Sequence, residues 1–410
     1  MADTPNPGTG FPPPPKAAVP QSPEEFAQLL ADASRLGRST CIRGGGTKSG
    51  WGRPVPDADL TVSTAKLNQL TVHRHGDMTA TVQAGMRLLD FNAALATHRQ
   101  WLPVESAFPD ATIGGIIATN DCGPMRHRSG TPRDLLIGIT LALTDGRVVK
   151  AGGHVVKNVA GYDLGRLMSG SFGALAGIVD ATFKLMPIPQ AAATLVVEYA
   201  DAPALGRDVA ALMASQLEPA AFDVRSVRLQ PDRTDAALQL LVRFASSPAS
   251  TTEQSNHAAA LLTGKVSLVT GQPEFDLWAE QLQAPWVRRA EASGEGGLDA
   301  TAEQPTVVRV SWLPASIAEV LGLVSGHAFW GRVMGTGLVR LHGDSAGHAP
   351  FIERLRSSSA VRHVVVLHAP PRVKEQVDAW GAPPSAAATL RALKQMFDPN
   401  GVLNPGRGPI

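Results

Sequence analysis

The chain has 410 residues, 44% of them hydrophobic, which is long enough for two or three domains with large cores. Its 37 Lys and Arg against 36 Asp and Glu give a net charge of +1, which argues against a protein that binds nucleic acid by neutralising phosphates. Two cysteines, Cys41 and Cys122, are too few for a disulfide framework or a cysteine-rich metal site, and they suit a reducing compartment.

The sequence carries no signal for membrane insertion or secretion. No run of 18 or more apolar residues is present, and the N-terminus lacks a basic segment followed by an apolar one. We therefore expect a cytoplasmic protein without a membrane span, which would reach the inner membrane only through partner subunits. Residues 1–20 hold seven prolines and predict a disordered or polyproline tail, either inert or a ligand for SH3-type domains.

A first α+β domain is predicted over residues 21–189. Ser22 followed by Pro23 is typical of a helix start, and this helix would run to Arg35. Alternating β-branched and apolar runs then predict strands, and longer periodic runs predict helices. The strands are expected at 41–43, 60–63, 79–84, 137–143 and 177–185, and the helices at 88–98 and 164–168. Pro187 and Pro189 mark the end of this domain.

Residues 190–370 predict a second α+β domain, an antiparallel sheet with helices on one face. Its strands are expected at 193–199, 224–229, 237–244, 307–312, 337–341 and 363–368, and its helices at 205–217, 255–262 and 317–324. The small, polar stretch 291–305 predicts a mobile loop. Residues 371–410 form a C-terminal segment with a last helix at 386–396, and we expect it to return to the first domain.

A run of three glycines follows the strand at 41–43, in the sequence RGGGTKSG over residues 43–50. Glycines allow positive φ and close approach of a ligand, so successive N–H groups can form a nest for a phosphate or pyrophosphate. The spacing fits neither a Walker A loop nor a dinucleotide-binding G-x-G-x-x-G, and Pro54 blocks the helix that the latter requires. The alternative is a flexible glycine-rich turn.

Two further glycine-containing stretches follow. The first, PDATIGGIIATNDCGP over 109–124, places two glycines between apolar residues, either for a flat ligand or for close packing of two chain segments. The second, KNVAGYDL over 157–164 with GSFGALAGI over 170–178, could place backbone groups against an adenine edge, or could be an ordinary helix and turn. Each stretch alone is a weak signal.

Together, in this order and spacing, the stretches resemble the FAD-binding domain shared by vanillyl-alcohol oxidase and p-cresol methylhydroxylase (the PCMH type). Within that superfamily, RGGGTKSGWG, FPDATIGGIIATNDCGP and FDPNGVLNPGR most resemble the FAD-binding (E) subunits of bacterial glycolate oxidases. The resemblance implies a PCMH-type domain of two α+β subdomains, followed by an antiparallel-sheet α+β cap. It also implies FAD as cofactor and glycolate as substrate. The implied partners are a catalytic flavin subunit and an iron–sulfur subunit.

The resemblance also assigns roles by position. The FAD pyrophosphate would be wrapped by Gly44, Gly45, Gly46, Thr47 and Lys48. The flavin side of the cleft would be lined by Pro109, Asp110, Thr112, Gly114, Gly115, Ala118, Thr119 and Asn120, with Gly123 and Arg126 close by. The ribose and adenine would be held by Gly161, Tyr162, Asp163, Gly177 and Ile178. Asn404 would approach the isoalloxazine ring from the C-terminal segment.

Several expected features of such enzymes are missing or undecided. Some relatives attach the flavin through a His or Cys, and Cys122 and His154 are conceivable nucleophiles, but we expect non-covalent FAD. Residues 342–348 (HGDSAGH) do not match the metal-binding segment of the catalytic subunit, so we expect no metal and interpret these histidines as surface turn residues. The catalytic base stays unassigned among the cap residues, which include His327, Arg332, Arg340, His363 and His368.

Three functions therefore stand open from the sequence. The chain could oxidise glycolate, or relay its electrons, as a glycolate oxidase subunit. It could be a stand-alone FAD-dependent oxidase or dehydrogenase of another hydroxy acid or of a sugar alcohol. It could also be a non-catalytic structural subunit. With two cysteines it cannot itself supply the four thiolates of an ordinary iron–sulfur cluster.

Overall fold

The computed structural model describes residues 16–54, 57–154, 162–227, 237–286 and 305–409. In these ranges the α-helices are α1 (Pro23–Arg35), α2 (Leu88–Ala96), α3 (Ile113–Thr119), α4 (Arg126–Ser129), α5 (Pro132–Leu135), α6 (Leu164–Met168), α7 (Ala202–Ala214), α8 (Pro248–Leu261), α9 (Gln272–Gln283), α10 (Ile317–Leu323), α11 (His348–Ser357), α12 (Pro371–Gln376) and α13 (Ala387–Phe397).

The strands are β1 (Ala17–Ala18), β2 (Thr40–Arg43), β3 (Leu60–Ser63), β4 (Leu70–Arg74), β5 (Thr79–Gln83), β6 (Gln100–Trp101), β7 (Leu136–Ala142), β8 (Val148–Gly152), β9 (Gly177–Lys184), β10 (Met186–Pro187), β11 (Ala191–Tyr199), β12 (Ala221–Val227), β13 (Ala237–Ser246), β14 (Lys265–Thr270), β15 (Val307–Trp312), β16 (Ala328–Arg332), β17 (Thr336–Arg340) and β18 (Val361–His368).

The first domain has two main sheets joined by α1, in agreement with the two-subdomain prediction, and a short antiparallel pair of β6 with β10. A parallel three-stranded sheet has the order β1-β3-β2, and an antiparallel five-stranded sheet has the order β4-β5-β9-β7-β8. The helix begins at the predicted residue because the Ser22 side chain accepts a hydrogen bond from the Glu25 N–H. Phe26 and Leu30, one turn apart, are fully buried against Val62 and Val179, so α1 connects the cores of both sheets.

Strand β1 corrects the prediction that all of residues 1–20 are disordered. Ala17 and Ala18 pair with Thr61 and Val62, and the Thr61 N–H donates to the Lys16 carbonyl at 2.8 Å. The extended backbone of a proline-rich segment is ready to pair along the open edge of β3, where carbonyl acceptors satisfy the N–H groups of that strand. Residues 1–15 lie outside the described residues.

The cap is an eight-stranded antiparallel sheet in the order β14-β11-β13-β12-β16-β17-β15-β18. Four helices, α7, α8, α10 and α11, cover one face. The prediction that helices occupy one face only is wrong, because α9 packs on the opposite face. There Trp278 is buried against Val196 and Leu241, and its indole N–H donates to the Thr194 hydroxyl. Side chains alternate along each strand, so neighbouring residues supply both cores.

Most predicted elements are confirmed to within a few residues, including the strands β2 and β9 and the helices α1 and α6. The helix predicted at 205–217 begins earlier, at Ala202, because the Asp201 side chain caps it. The prediction missed the strands β4, β14 and β16, the helices α3, α9 and α11, and several elements of six residues or fewer. The end of the strand predicted at 224–229 lies outside the described residues, as does the loop predicted at 291–305 except for its last residue.

The C-terminal segment returns to the first domain. Leu403 forms a parallel bridge with Thr40, and the Asn404 N–H donates to the Thr40 carbonyl. The Lys394 ammonium, in α13, donates to the carbonyls of Ala174 and Leu403. This return places the C-terminal residues beside β2 and the glycine run that follows it.

Candidate functional site

The glycine run after β2 lies tightly against the segment that precedes α3. A Cβ on Gly44 would stand 2.1 Å from Thr112 Oγ1, and one on Gly45 would stand 1.9 Å from the Asp110 carbonyl oxygen. Gly46 has a φ of +70°, in the left-handed region that other residues rarely adopt. A larger residue at Gly45 would therefore displace backbone, whereas one at Gly44 would displace the Thr112 side chain.

This packing leaves the backbone N–H groups of the loop available. Among the described residues, no acceptor is found for the N–H groups of Gly45, Gly46 and Thr47. Converging N–H groups without partners are the kind of nest that holds a phosphate or pyrophosphate. The loop therefore fits the anionic part of a dinucleotide.

A cleft of about 760 Å³, which we call the glycine cleft, opens beside this loop. Eleven of its lining residues are among those predicted from the sequence: Gly44, Gly45, Gly46, Thr47, Lys48, Thr112, Gly114, Gly115, Ala118, Thr119 and Ile178. The others, which the sequence did not identify, are Cys41, Ile42, Arg43, Ser49, Thr64, Ala84, Phe172, Gly173, Ala176 and Arg407.

The remaining predicted residues are divided among other places. Asp110 lines an outer cleft of about 870 Å³ that shares Gly44, Gly45 and Thr112 with the glycine cleft. Tyr162 is 92% exposed, and Asp163 caps α6 by accepting a hydrogen bond from the Arg166 N–H. Gly161 lies outside the described residues. Asn120 and Arg126 line a third cleft, described below.

Like Tyr162 and Asp163, four further predicted residues lie outside the linings of all three clefts: Pro109, Gly123, Gly177 and Asn404. Packing explains why the two glycines among them have no side chain. A Cβ on Gly177 would stand 2.6 Å from Phe26 Cζ, and one on Gly123 would stand 2.5 Å from Glu105 Oε2. Asn404 is buried and donates to the Phe172 carbonyl at 2.8 Å. This bond joins the C-terminal segment to the wall of the glycine cleft.

Lys48 is placed differently from a lysine that simply contacts a phosphate. Its ammonium is buried and lies 2.9 Å from Asp121 Oδ2, which also accepts a hydrogen bond from the Ser106 hydroxyl. The charge of Lys48 is therefore neutralised within the protein. Its backbone carbonyl accepts a hydrogen bond from the Arg407 guanidinium, another lining residue of the glycine cleft.

A third cleft, of about 650 Å³, lies where the first domain meets the cap; we call it the arginine cleft. It adjoins the glycine cleft along the chain, since Ala118 and Thr119 line one and Asn120 and Asp121 line the other. Its lining is supplied by both domains: Trp51, Ala107, Asn120, Asp121, Cys122, Arg126, Asp223, Gln281, Leu282, Pro285, Trp286, Arg309, Trp330, Arg332, Thr336, Gly337, Leu338 and Leu367.

The cap contributes one face of its sheet to this cleft. Asp223 of β12 is the register partner of Arg332 in β16, and Arg309 of β15 is the partner of Leu338 in β17. In an antiparallel sheet, paired residues point to the same face. The opposite face carries the main apolar core, so the polar face of these strands meets the first domain.

Three guanidinium groups, those of Arg126, Arg309 and Arg332, line the arginine cleft without a counter-ion. In the described ranges none of them has a carboxylate oxygen within 4.0 Å. Burial lowers the pKa of Arg309, and the neighbouring Arg126 and Arg332 lower it further. Uncompensated cations in a half-buried cleft favour an anionic ligand.

One carboxylate of the cleft, that of Asp223, is not neutralised by a close cation. It is 1% exposed, and burial raises its pKa to about 6, although Arg332 opposes the rise. Gln281 Nε2 donates to its Oδ2 at 3.0 Å. A carboxyl group with such a pKa can exchange a proton near neutral pH.

Other sequence expectations are corrected or located by the structure. His348 is buried and hydrogen-bonded to the Thr306 hydroxyl, so it is not a surface turn residue. Cys41 is half-buried and lines the glycine cleft, whereas Cys122 lines the arginine cleft. Within the described ranges, no group of three or more His, Cys, Asp or Glu side chains is arranged to hold a metal ion.

Among the described helices, none combines the length and the apolar character that crossing a bilayer requires. Of the cap residues considered from the sequence, Arg332 reaches the arginine cleft, whereas His363 is exposed. Sequence reasoning missed Asp223, Gln281 and Arg309. A signal existed for Arg309, which alternates with buried Val308 and Val310 in β15 and so faces away from the main core.

Comparisons with known proteins agree with this geometry. Residues 14–152 match the family model of the FAD binding domain, and residues 374–407 match that of the C-terminal domain of FAD linked oxidases. These matches contain the glycine loop and the C-terminal segment that contacts it.

Among curated relatives, the chain is 32% identical to glycolate oxidase subunit GlcD of Bacillus subtilis, over 50% of this chain and 44% of that protein. It is 34% identical to glycolate oxidase subunit GlcE of Escherichia coli, over 42% of this chain and 48% of that protein. These matches thus span about half the length of each relative. A D-2-hydroxyglutarate dehydrogenase of Xanthomonas citri is 26% identical over 95% of this chain and 88% of its own length.

Two solved structures share the fold. An alkyldihydroxyacetonephosphate synthase superposes with a TM-score of 0.67 at 15% identity, over 95% of this chain and 75% of its own. A chitooligosaccharide oxidase superposes with a TM-score of 0.64 at 16% identity, over 96% of this chain and 90% of its own. Residues 14–152 thus match the FAD binding domain and residues 374–407 the C-terminal domain of FAD linked oxidases; the cofactor is FAD, and the fold includes a large antiparallel cap.

Proposed function

We propose that the protein is an FAD-dependent oxidoreductase of small 2-hydroxy acids. The observation that carries this proposal is the set of three unpaired guanidinium groups in the arginine cleft, next to the glycine cleft. A 2-hydroxy acid has a carboxylate that arginines bind well and an adjacent hydroxyl that can be oxidised. Relatives named glycolate oxidase subunits and D-2-hydroxyglutarate dehydrogenases support the same substrate class.

The glycine cleft is the proposed place for FAD. Its unpartnered N–H groups, at Gly45, Gly46 and Thr47, would receive the pyrophosphate, and its small residues beside α3 would accept the flat ring. When bound, FAD supplies a two-electron acceptor. The chain's own groups would orient the substrate: the arginines would hold the carboxylate, and Trp286 and Trp330 supply apolar rings to the cleft wall.

A finer proposal is that the chain is the FAD-binding subunit of a glycolate oxidase, which converts glycolate to glyoxylate. Its partners would be a catalytic flavin subunit and an iron–sulfur subunit, and the complex would be cytoplasmic or peripheral at the inner membrane. Support comes from the motifs RGGGTKSGWG and FDPNGVLNPGR and from the likeness to the subunits GlcD and GlcE. A chain that only relays electrons inside the complex is the second candidate.

The decisive experiment is anaerobic reduction of the FAD-loaded chain, followed by the loss of flavin absorbance. Glycolate and D-lactate are compared with ethylene glycol and 1,2-propanediol, which carry the same hydroxyl without the carboxylate. We expect bleaching by one of the acids and none by the diols at equal concentration. Arg309→Met should weaken the response to the acid at least tenfold, because one of the carboxylate-binding cations is removed.

Other outcomes select the alternatives. Bleaching by a diol or a sugar alcohol would contradict the role of the arginines. Bleaching by glycolate only after the other subunits are added would favour the electron relay. A chain that binds FAD but is reduced by no hydroxy acid, alone or in the complex, would refute the proposal and favour a structural subunit.

A further inference from the structure

Asp223 has one carboxylate oxygen that the protein leaves unsatisfied. Its Oδ2 accepts a hydrogen bond from Gln281, but its Oδ1 is buried without a partner in the described part of the chain. A buried acceptor without a donor is unfavourable unless a ligand supplies the missing hydrogen bond. The free oxygen therefore points to a donor group that enters the arginine cleft.

Three other orphaned polar atoms surround the same cleft. Asn120 Oδ1 and Gln281 Oε1 are buried acceptors without a donor, and Arg332 Nε is a buried donor without an acceptor, within the described ranges. All three residues line the arginine cleft together with Asp223. A ligand that carries both a hydroxyl donor and a carboxylate acceptor would supply a hydrogen bond to one of these acceptors and accept one from Arg332. A simple inorganic anion would satisfy only the arginine.

Resting on the proposed function, we propose that Asp223 is a catalytic residue, the base that takes the proton from the substrate hydroxyl. The O–H bond breaks, and its proton moves to Asp223 Oδ1. The C–H bond on the same carbon breaks, and the hydrogen leaves as a hydride with both bonding electrons. FAD would be the acceptor of this hydride. The carbon–oxygen single bond becomes a carbonyl, so the 2-hydroxy acid leaves as a 2-oxo acid.

The charges around Asp223 determine how its affinity for a proton would change when substrate binds. From the first domain, Arg126 and the half-buried Glu105 face it, together with Asp121, which Lys48 neutralises. The charged residues on the same face of the cap sheet, or on α9 against it, are Arg225, Arg243, Arg309, Arg332, Glu274 and Glu280. Glu274 is paired with Arg243, and Glu280 lies 3.9 Å from Arg225. A bound carboxylate would cancel part of the remaining positive charge and make Asp223 bind a proton more tightly.

A binding experiment tests this response without turnover. The full chain is titrated with oxalate, a carboxylate ligand that cannot be oxidised, by calorimetry at pH 6.5 in buffers of different ionisation enthalpy. The wild-type chain should take up a fraction of a proton for each oxalate bound, whereas Asp223→Asn should take up none and bind oxalate within about threefold of the wild type. Equal proton uptake by both would overturn the assignment.

A kinetic experiment tests the proton transfer itself. In the FAD-loaded chain, Asp223→Asn should slow anaerobic flavin reduction by the active 2-hydroxy acid at least about 100-fold at saturation. Asp223→Glu should recover part of that rate and shift its pH profile. The matched control is Asp208→Asn, at a buried aspartate on the other face of the cap that accepts from Tyr199 and Thr263. It should leave the reduction rate unchanged.

The outcomes separate the two proposals. If the wild type is reduced and Asp223→Asn is reduced equally fast, the assignment of the base is wrong and the proposed function stands. If no 2-hydroxy acid reduces the wild type, alone or in the complex, the proposed function fails and the base assignment falls with it. If both aspartate variants lose activity equally, a general effect on folding explains the loss and the assignment is overturned.

Discussion

Replacing Asp223 by asparagine should stabilise the protein at neutral pH, even if it abolishes activity. The pKa of this carboxyl rises from 3.8 to about 6 on folding, mainly through burial. A rise of this size corresponds to about 3 kcal/mol. The protonated acid is therefore favoured in the folded state, and the neutral amide of asparagine resembles it at every pH.

The sign of the pH dependence follows from the same shift. A raised pKa contributes stability that is fully present below 3.8 and is lost as the pH rises through about 6. At pH 8 the wild type bears the whole cost of the ionised group, whereas Asp223→Asn does not. The variant should therefore gain stability over the wild type at pH 8 and show almost no gain at pH 4.

Thermal unfolding of the full chain, followed by calorimetry at both pH values, measures this difference. For a chain of this length, about 3 kcal/mol corresponds to a rise in Tm of about 3 °C. Asp121→Asn is the matched control, because it leaves the buried ammonium of Lys48 unpaired and should lower stability by about 3 kcal/mol at pH 8. A loss of stability in Asp223→Asn at pH 8, or an equal gain at both pH values, would refute the reasoning.

The other predictions concern packing and a second titrating group. Gly45→Ala should weaken FAD binding about tenfold, because its Cβ would meet a backbone carbonyl. Gly76→Ala, which has open space around it, should leave FAD binding unchanged, and equal dissociation constants for the two variants would contradict the prediction. Gly177→Ala should lower the free energy of unfolding, measured by chemical denaturation, by about 2 kcal/mol because its Cβ crowds the Phe26 ring. Adding Phe26→Leu should recover part of this loss, and simple additivity of the two substitutions would contradict the contact. Burial lowers the pKa of His327 to about 4, so the free energy of unfolding should fall by about 1–2 kcal/mol for this half-buried group as the pH drops from 6.5 to 4. His327→Asn should flatten the dependence of Tm on pH over this range.

The glycine cleft was largely predictable because its signals are local. A strand followed by three glycines specifies a backbone that only glycine allows, and Gly46 indeed has positive φ. The start of α1 is likewise encoded by Ser22 and the proline after it. Local signals do not distinguish why a glycine is required, however. Gly177 was assigned to adenine from its position, whereas the structure places it against the Phe26 ring.

The arginine cleft was not predictable in the same way, because it depends on strand register. Asp223 and Arg332 are far apart in the sequence and meet only because β12 pairs with β16. A shift of one residue in that pairing would turn Arg332 to the other face. Gln281 was also missed, since α9 itself was not predicted and packs on the face thought to be bare of helices. Alternation shows that a strand has a polar face, but not which partner that face meets.

The position of the glycine loop depends on the segment that follows the cap. The Lys374 ammonium donates to the carbonyls of Gly50 and Gly52 at 2.6 and 2.7 Å, and Arg53 is paired with Asp378 at 2.7 Å. Burial lowers the pKa of Lys374 to about 8, because the ammonium loses hydration. This loss offsets part of the free energy of its hydrogen bonds to the two carbonyls. Such contacts tie the end of the cap to the loop. Because the cap supplies Arg309 and Arg332 to the arginine cleft and the loop supplies the N–H groups of the glycine cleft, the same contacts help to set the distance between the proposed carboxylate-binding and phosphate-binding groups.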